Sequence, residues 1–329
     1  MRALALFSGG LDSMIAMKLI TNQGIDVKAI NINIGFGGTK DMSAVFRERA
    51  LAVGADFEMI DAREEYLQKV LFSPKYGYGK RFNPCIDCHA FMMRKARELL
   101  EKEAADFIIT GEVLGQRPMS QNSKSLKNVL ELGDDDGIIL RPMSAKLLAP
   151  TKPEINGWVD REKLLDIEGR DRKRQLALAQ EFGFSGFASP GGGCLLTDIN
   201  FSEKLRDFVK YQPLYAEDIA LLKVGRHFRL EHNAKLVLGR NEGENKILKE
   251  LENSAFSDIY LGDDLPAPYG KISQNAVSDE KIFAAKLTLF YTKIEKNRPH
   301  KVQIADELFE VCAFESVNDF KRYAVGAHV

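Results

Sequence analysis

Cysteine is scarce in this chain, with four residues among 329, Cys85, Cys88, Cys194 and Cys312, too few and too widely spaced for a disulfide framework. Long apolar runs are missing as well, and none approaches the ~18 residues that a membrane-spanning helix requires. No signal-like charged and apolar stretch opens the chain, so the expected location is the cytoplasm. An excess of charge of one sign is absent too. Forty-six basic and 47 acidic residues leave a formal net charge of −1, which confines any RNA-binding surface to a local patch. What remains is a globular composition, 45% hydrophobic, long enough for a large core and for two domains. No internal repeat or low-complexity segment interrupts it.

From the start to about Pro190, strand-like runs alternate with helix-like segments. The runs are Ala3 to Phe7, Val27 to Ile34, Phe57 to Ile60 and Phe107 to Thr110; Ser43 to Val53 and Met92 to Glu103 carry apolar residues at helical spacing with charges opposite. This order predicts an α/β fold, a parallel sheet with helices on both faces. Arg170 to Gln180 reads as a charged helix whose Arg170 to Arg174 charges form a solvated face. Past Cys194 short strands at Phe228 to Leu230, Lys235 to Leu238 and Asp258 to Leu261 surround a helix at Glu244 to Leu251. The expected division is a catalytic domain over 1–199 and a smaller α+β domain over 200–329.

Ser8-Gly9-Gly10-Leu11-Asp12-Ser13 joins the first apolar run to the helix-like stretch Met14 to Ile20. Without Cβ atoms, Gly9 and Gly10 let backbone N–H groups approach an anion, and a helix N-terminus adds unpaired donors and a positive dipole end. The loop suits pyrophosphate. It lacks the Gly-Lys-Ser/Thr ending of a Walker loop and the third glycine of the dinucleotide fingerprint. SGGLDS resembles the PP-loop of the ATP pyrophosphatases, adenine nucleotide α-hydrolase-like enzymes that cleave ATP between the α- and β-phosphates and adenylate a substrate. That resemblance implies ATP held by Ser8, Gly9, Gly10, Leu11, Asp12 and Ser13, and Mg2+ with Asp12 as the nearest carboxylate and a catalytic candidate.

A second loop, Thr110 to Gln121, follows the run Phe107 to Ile109, and in parallel sheets ligands sit beyond the carboxyl ends of strands. Thr110, Gly111 and Gln116 are expected to face the same nucleotide. Thr110-Gly111-Glu112-Val113-Leu114-Gly115-Gln116, with Ser120-Gln121 and then Leu140-Arg141-Pro142-Met143, resembles the catalytic domain of tRNA 4-thiouridine synthases. The implied product is 4-thiouridine. The related 2-thiouridylases typically carry a TGH-type element here and supply the alternative product; Arg141 and Lys146 are further candidates for phosphate contacts.

Cys85-Ile86-Asp87-Cys88-His89 opens a helix, where the dipole favours thiolates. Cys194 follows Ser189-Pro190-Gly191-Gly192-Gly193, whose glycines permit close approach. Converging on one site, these cysteines could hold a 4Fe-4S cluster with one open iron, close a zinc site together with His89, or act as redox thiols. The pair Cys85 and Cys88 is similar to that of cluster-dependent tRNA thiolases, which implies Cys85, Cys88 and Cys194 as ligands of a 4Fe-4S cluster that passes on sulfur. Cys194 also matches the region of a reactive cysteine in 4-thiouridine synthases, and is a catalytic candidate. His89 reads as support for a ligand, and Cys312, inside the apolar run Phe309 to Phe314, as a buried structural thiol.

The N-terminal RNA-binding module usual in that family is not seen ahead of the loop, and no rhodanese extension follows. The expected substitute is the second domain, where Arg226, Arg229, Lys235 and Arg240 cluster around Phe228, a pattern suited to phosphate contacts and base stacking. HFRLEHNAKLVLGRNEGENKIL resembles the RNA-binding module of ribosome quality-control factors. The expected partners are therefore tRNA and a sulfur source, inorganic sulfide or a cysteine desulfurase, with a homodimer also open. The competing readings are a PP-loop ligase or amidase acting on a small molecule, and a zinc-stabilised RNA-binding protein without catalysis.

Overall fold

The computed structural model describes residues 1–187, 193–261 and 266–326, in two compact units, 1–193 and 194–329. The N-terminal unit alternates strands and helices: β1 (Arg2–Leu6), α1 (Leu11–Thr21), β2 (Asp26–Asn33), α2 (Ser43–Ala52), β3 (Asp56–Asp61), α3 (Arg63–Tyr66), α4 (Cys85–Glu98), β4 (Phe107–Thr110), α5 (Ser123–Leu132), β5 (Ile139–Leu140), α6 (Lys152–Ile155) and α7 (Lys173–Glu181). The five strands are all parallel in the order β3-β2-β1-β4-β5.

β1 is the central strand because it is apolar on both faces, as an internal parallel strand must be. Ala3 and Ala5 pack with Val27, Ala29 and Ile109 against Met14, Met17 and Ile20 of α1. Leu4, Ile30 and Ile108, which alternate with them, are also fully buried, and α4 contacts β1 and β2. The other side of α1, through Leu11, Ile15 and Leu19, packs on Val113, Met143, Ile167 and Ala179. α1 is thus apolar nearly all round, as a helix enclosed by protein should be. From β1 the chain steps to β2 on one side, while β4 lies on the other. The loops after β1 and β4 consequently meet at the switch point of the sheet, where ligands of open α/β folds bind.

The C-terminal unit holds α8 (Ile199–Tyr211), α9 (Asp218–Lys223), β6 (Arg226–Arg229), β7 (Lys235–Leu238), α10 (Glu242–Glu250), β8 (Phe256–Tyr260), β9 (Gly270–Ser273), α11 (Ser278–Phe290), β10 (His300–Ile304), β11 (Glu307–Val311) and β12 (Ala324–Val325). Its sheet is antiparallel, ordered β11-β10-β8-β9-β7-β6-β12. Phe228, Leu236, Leu238, Ile259, Ile272 and Val302 project from one face onto Ala284, Ala285 and Leu289 of α11. On the other face Phe208 of α8 stacks on Phe256, and Asp207 pairs with Arg229 and Lys235. The unit begins at Cys194, ahead of the boundary expected at Asn200. No helix among the described residues is long and apolar enough to cross a membrane.

Candidate nucleotide site and the cysteine helix

The strand β1 ends directly in the expected phosphate loop. Gly9 takes φ +73°, a left-handed conformation that glycine adopts without a Cβ penalty. Arg49 of α2 fixes this turn, donating from Nη1 to the Gly9 carbonyl at 2.7 Å and from Nη2 to the Gly186 carbonyl. Gly10 is the N-cap of α1, and Ser13 Oγ donates to its carbonyl at 2.7 Å. No side chain among the described residues caps the start of α1, which leaves first-turn N–H groups to an anion.

Asp12 is held from the neighbouring strand end. Gln116 Nε2 donates to Asp12 Oδ2 at 2.8 Å, while Asp12 Oδ1 is buried with no hydrogen-bond partner among the described residues. Arg172 Nη2 lies 4.0 Å from that Oδ1, and Arg172 Nε and Gln116 Oε1 are also buried without partners. Unpaired buried polar atoms are rare and costly, and here three of them gather beside one phosphate loop. A carboxylate oxygen of this kind fits Mg2+. Gly111 closes the contact between the two loops: a Cβ there would stand 2.6 Å from both Cα and N of Ser13. The sequence had suggested Asp12, Gly111 and Gln116 for one site, and the structure brings them together. Arg172 corrects the reading of Arg170 to Arg174 as a solvated face, since its side chain is only 12% exposed.

A second network lies beside the first. Glu112 is buried between His89 and Arg141, accepting from His89 Nδ1 at 2.7 Å and from Arg141 Nε at 2.8 Å. Burial by itself would raise the Glu112 pKa, but the Arg141 charge and the His89 hydrogen bond overcome it and hold the carboxyl at about 2. An ionised carboxylate can only accept, so His89 carries its proton on Nδ1. Arg141, expected on phosphate, instead neutralises Glu112, although its Nη2 is buried without a partner. Lys146 is turned away to Glu162, whose carbonyl and carboxylate it meets at 2.8 and 3.2 Å. Both corrections have one cause, a carboxylate nearer than the nucleotide loop.

Cys85 and Cys88 share one face of the first turn of α4, at a spacing of three residues. Asn83 Nδ2 reaches Cys85 Sγ at 3.1 Å and Met119 Sδ at 3.4 Å, which ties the cysteine helix to the loop that carries Gln116. Cys194 belongs to the other unit, where Thr197 Oγ1 donates to its carbonyl at 2.7 Å. Ser189 to Gly192 lie outside the described residues. Among those described, no three Cys, His, Asp or Glu side chains gather as a metal site. Cys312 is exposed, against the buried thiol expected. It lies just past the end of β11, an edge strand that is half-exposed or open along its length.

The four basic residues singled out in the C-terminal unit separate into two kinds. Lys235 is fully buried, with Nζ 2.6 Å from Asp207, which also takes the Arg229 guanidinium at 2.9 Å. Burial pushes the Lys235 pKa down to about 8, whereas the same two cations hold Asp207 below its ordinary value against its own desolvation. These two residues join α8 to the sheet and present no cation to solvent. Arg226 and Arg240 stay nearer the surface, Arg226 over the Tyr291 ring at 4.2 Å and Arg240 against Glu244.

Comparison with known proteins assigns each unit by itself. Residues 2–78 match the family model of the argininosuccinate synthase N-terminal HUP domain, over the same strand, glycine turn and helix described above. The N-terminal unit is a PP-loop domain of the HUP fold. Outside the PP-loop domain, residues 225–321 match the NFACT protein RNA binding domain. The tRNA-specific 2-thiouridylase MnmA of Desulforamulus reducens is 24% identical over 253 residues, 69% of this chain and 64% of that protein. The MnmA of Cytophaga hutchinsonii is 23% identical over 74% of this chain and 76% of its own length. That of Clostridium acetobutylicum reaches 33%, over 32% of this chain and 33% of the relative. A crystal structure titled as a 4-thiouridine synthetase–RNA complex with bound ATP aligns with 68% of this chain and 52% of its own, at 17% identity and a TM-score of 0.42. For most of the relatives the match spans under two thirds of their length.

Proposed function

We propose that this protein is an ATP-dependent tRNA uridine thiolase that replaces the O2 oxygen. The observation that carries the reading is Asp12, held by Gln116 in the phosphate loop with one buried carboxylate oxygen unpaired. Gly9, Gly10 and the start of α1 bind the ATP phosphates, and Asp12 holds Mg2+, which when bound neutralises phosphoryl charge. Arg172, close to Asp12 and with an unpaired Nε, offers its guanidinium to pyrophosphate. The uridine oxygen attacks the α-phosphorus, the bond to the β-phosphate breaks, and pyrophosphate leaves. A sulfur nucleophile then adds to the adenylated ring carbon, and AMP departs with the original oxygen. Inorganic sulfide supplies that nucleophile at the oxidation level of the thiocarbonyl product, so the step needs no further oxidant or reductant.

The 4-thiouridine product expected from Thr110 to Gln121 gives way to 2-thiouridine because the curated relatives across most of the chain carry the 2-thiouridylase name. The C-terminal unit supplies RNA binding in this reading, in keeping with the family match over 225–321. Incubation with ATP, Mg2+, sulfide and unmodified tRNA, followed by nucleoside mass spectrometry, tests it. The expected result is 2-thiouridine with one AMP and one pyrophosphate per sulfur, abolished in Asp12→Asn. 4-Thiouridine would move the target oxygen and keep the chemistry. AMP release without thiolated nucleoside would favour a small-molecule ligase, and no AMP release would refute the enzyme.

A further inference from the structure

Lys204, Arg226 and Arg240 line a shallow cleft of the C-terminal unit together with Asn200, Gly225, His227, Val325 and Gly326. Every charged side chain in that lining is a cation. Lys204 gives one of its three N–H groups to the Gly225 carbonyl at 3.1 Å, and Arg226 gives Nη1 to the Gly239 carbonyl at 3.3 Å, so most of their donors stay uncommitted. Arg240 is paired with Glu244 through Nε and Nη2.

The floor of the cleft reports the sign of its field. His227 is buried, bonded from Nε2 to the Val224 carbonyl, with Nδ1 unpaired. Burial holds its pKa well below the ordinary histidine value, and Lys204, Lys235 and Arg240 push it down further. At Lys204 burial and then the Arg240 charge act against the ammonium, opposed by Glu244 and Asp198, and the pKa falls to about 8. Glu244 raises the pKa of Arg240, so the group that an incoming anion would relieve is Lys204, where burial and the Arg240 charge both act against the ammonium.

We propose that Lys204, Arg226 and Arg240 form a phosphate-binding cleft whose ligand is a phosphodiester of an RNA backbone. The choice of RNA rests on the RNA-binding reading of this unit, whereas the anion site rests on the cleft alone. Lys204 lies on α8, outside the matched residues 225–321, and nothing in the sequence pattern had distinguished it.

The test uses the full chain and two probes. In the first, an unmodified tRNA transcript and an unrelated single-stranded RNA are titrated at several KCl concentrations. Lys204→Met should lower the salt slope of log Kobs by about one, so that its deficit against wild type grows about twofold for each halving of salt. Lys204→Arg should restore the slope, and Lys246→Met, on the exposed surface of α10, should leave it unchanged. In the second, inorganic phosphate is titrated while the His227 imidazole is followed by NMR, and its resonances should shift in wild type and not in Lys204→Met. If wild type binds RNA and Lys204→Met retains its affinity and slope, the proposal fails. If RNA does not bind but phosphate shifts His227, the anion site stands and the RNA-binding reading falls; no response to either probe overturns both.

Discussion

Replacing Gly111 by alanine would place a Cβ 2.6 Å from both the Cα and the amide nitrogen of Ser13, and 2.9 Å from the Asp12 carbonyl carbon. All three are main-chain atoms at the start of α1, so no side chain can rotate to make room. Relief to an ordinary 3.4 Å contact requires the loops to part by about 0.8 Å. Overpacking costs about 1–3 kcal/mol, and a main-chain obstacle puts this site at ~3 kcal/mol. For a unit of 193 residues that corresponds to a fall of roughly 6–12 °C in its melting transition. A displacement approaching 1 Å at a reacting centre costs up to about 100-fold in rate. Urea unfolding and ATP–pyrophosphate exchange, run on the same preparation, read both effects. Gly157→Ala is the comparison, because Gly157, unlike Gly111, has a positive φ (+68°) but nothing within 4 Å of the added Cβ, so its cost is backbone strain alone, ~1–2 kcal/mol. A Gly111→Ala protein as stable as Gly157→Ala, with the exchange rate of wild type, would refute the packing argument.

Glu112→Gln removes the charge that neutralises buried Arg141 and should cost about 3–5 kcal/mol in denaturant melts. The Glu112 carboxyl sits at about 2 in the folded protein, below its ordinary value. Its stabilisation is therefore complete above about pH 4.5 and lost as pH falls toward 2, and acid unfolding of Glu112→Gln should lack that component. Lys235→Met should leave RNA affinity and its salt slope unchanged, and cost less than the ~3 kcal/mol of a stranded charge, because Asp207 keeps Arg229. Asp207→Asn, which strands two cations, should cost more; a weakened salt slope in Lys235→Met would return that lysine to the RNA surface.

How far the sequence could be read depended on how far apart the interacting residues lie. The parallel sheet was visible in its apolar runs, and Asp12 and Gln116 could be placed together, although 104 residues apart, because both follow strands of one sheet. Arg172 escaped because a run of alternating charges looks solvated until α1 and α7 are packed, while its neighbours Lys173 and Arg174 are indeed exposed. Lys235 reads as a surface cation on an alternating strand, and only the fold supplies Asp207 from α8 to bury it. Cys312 shows the opposite error. Its apolar neighbours suggest a core, but the run lies at the edge of the sheet, where half of the side chains face solvent.

The pairing of Asp207 with Arg229 and Lys235 also sets where the C-terminal unit can be cut. A fragment begun at residue 225, the first matched to the RNA binding domain, would keep both cations and discard the Asp207 carboxylate that they share. It would lose Phe208 from beneath Phe256 as well. Lys235 would then face an uncovered, uncompensated surface, and the fragment would be prone to unfold or aggregate for reasons unrelated to RNA. An autonomous module must carry α8, which places its start at or before Asp198, the residue whose side chain caps that helix.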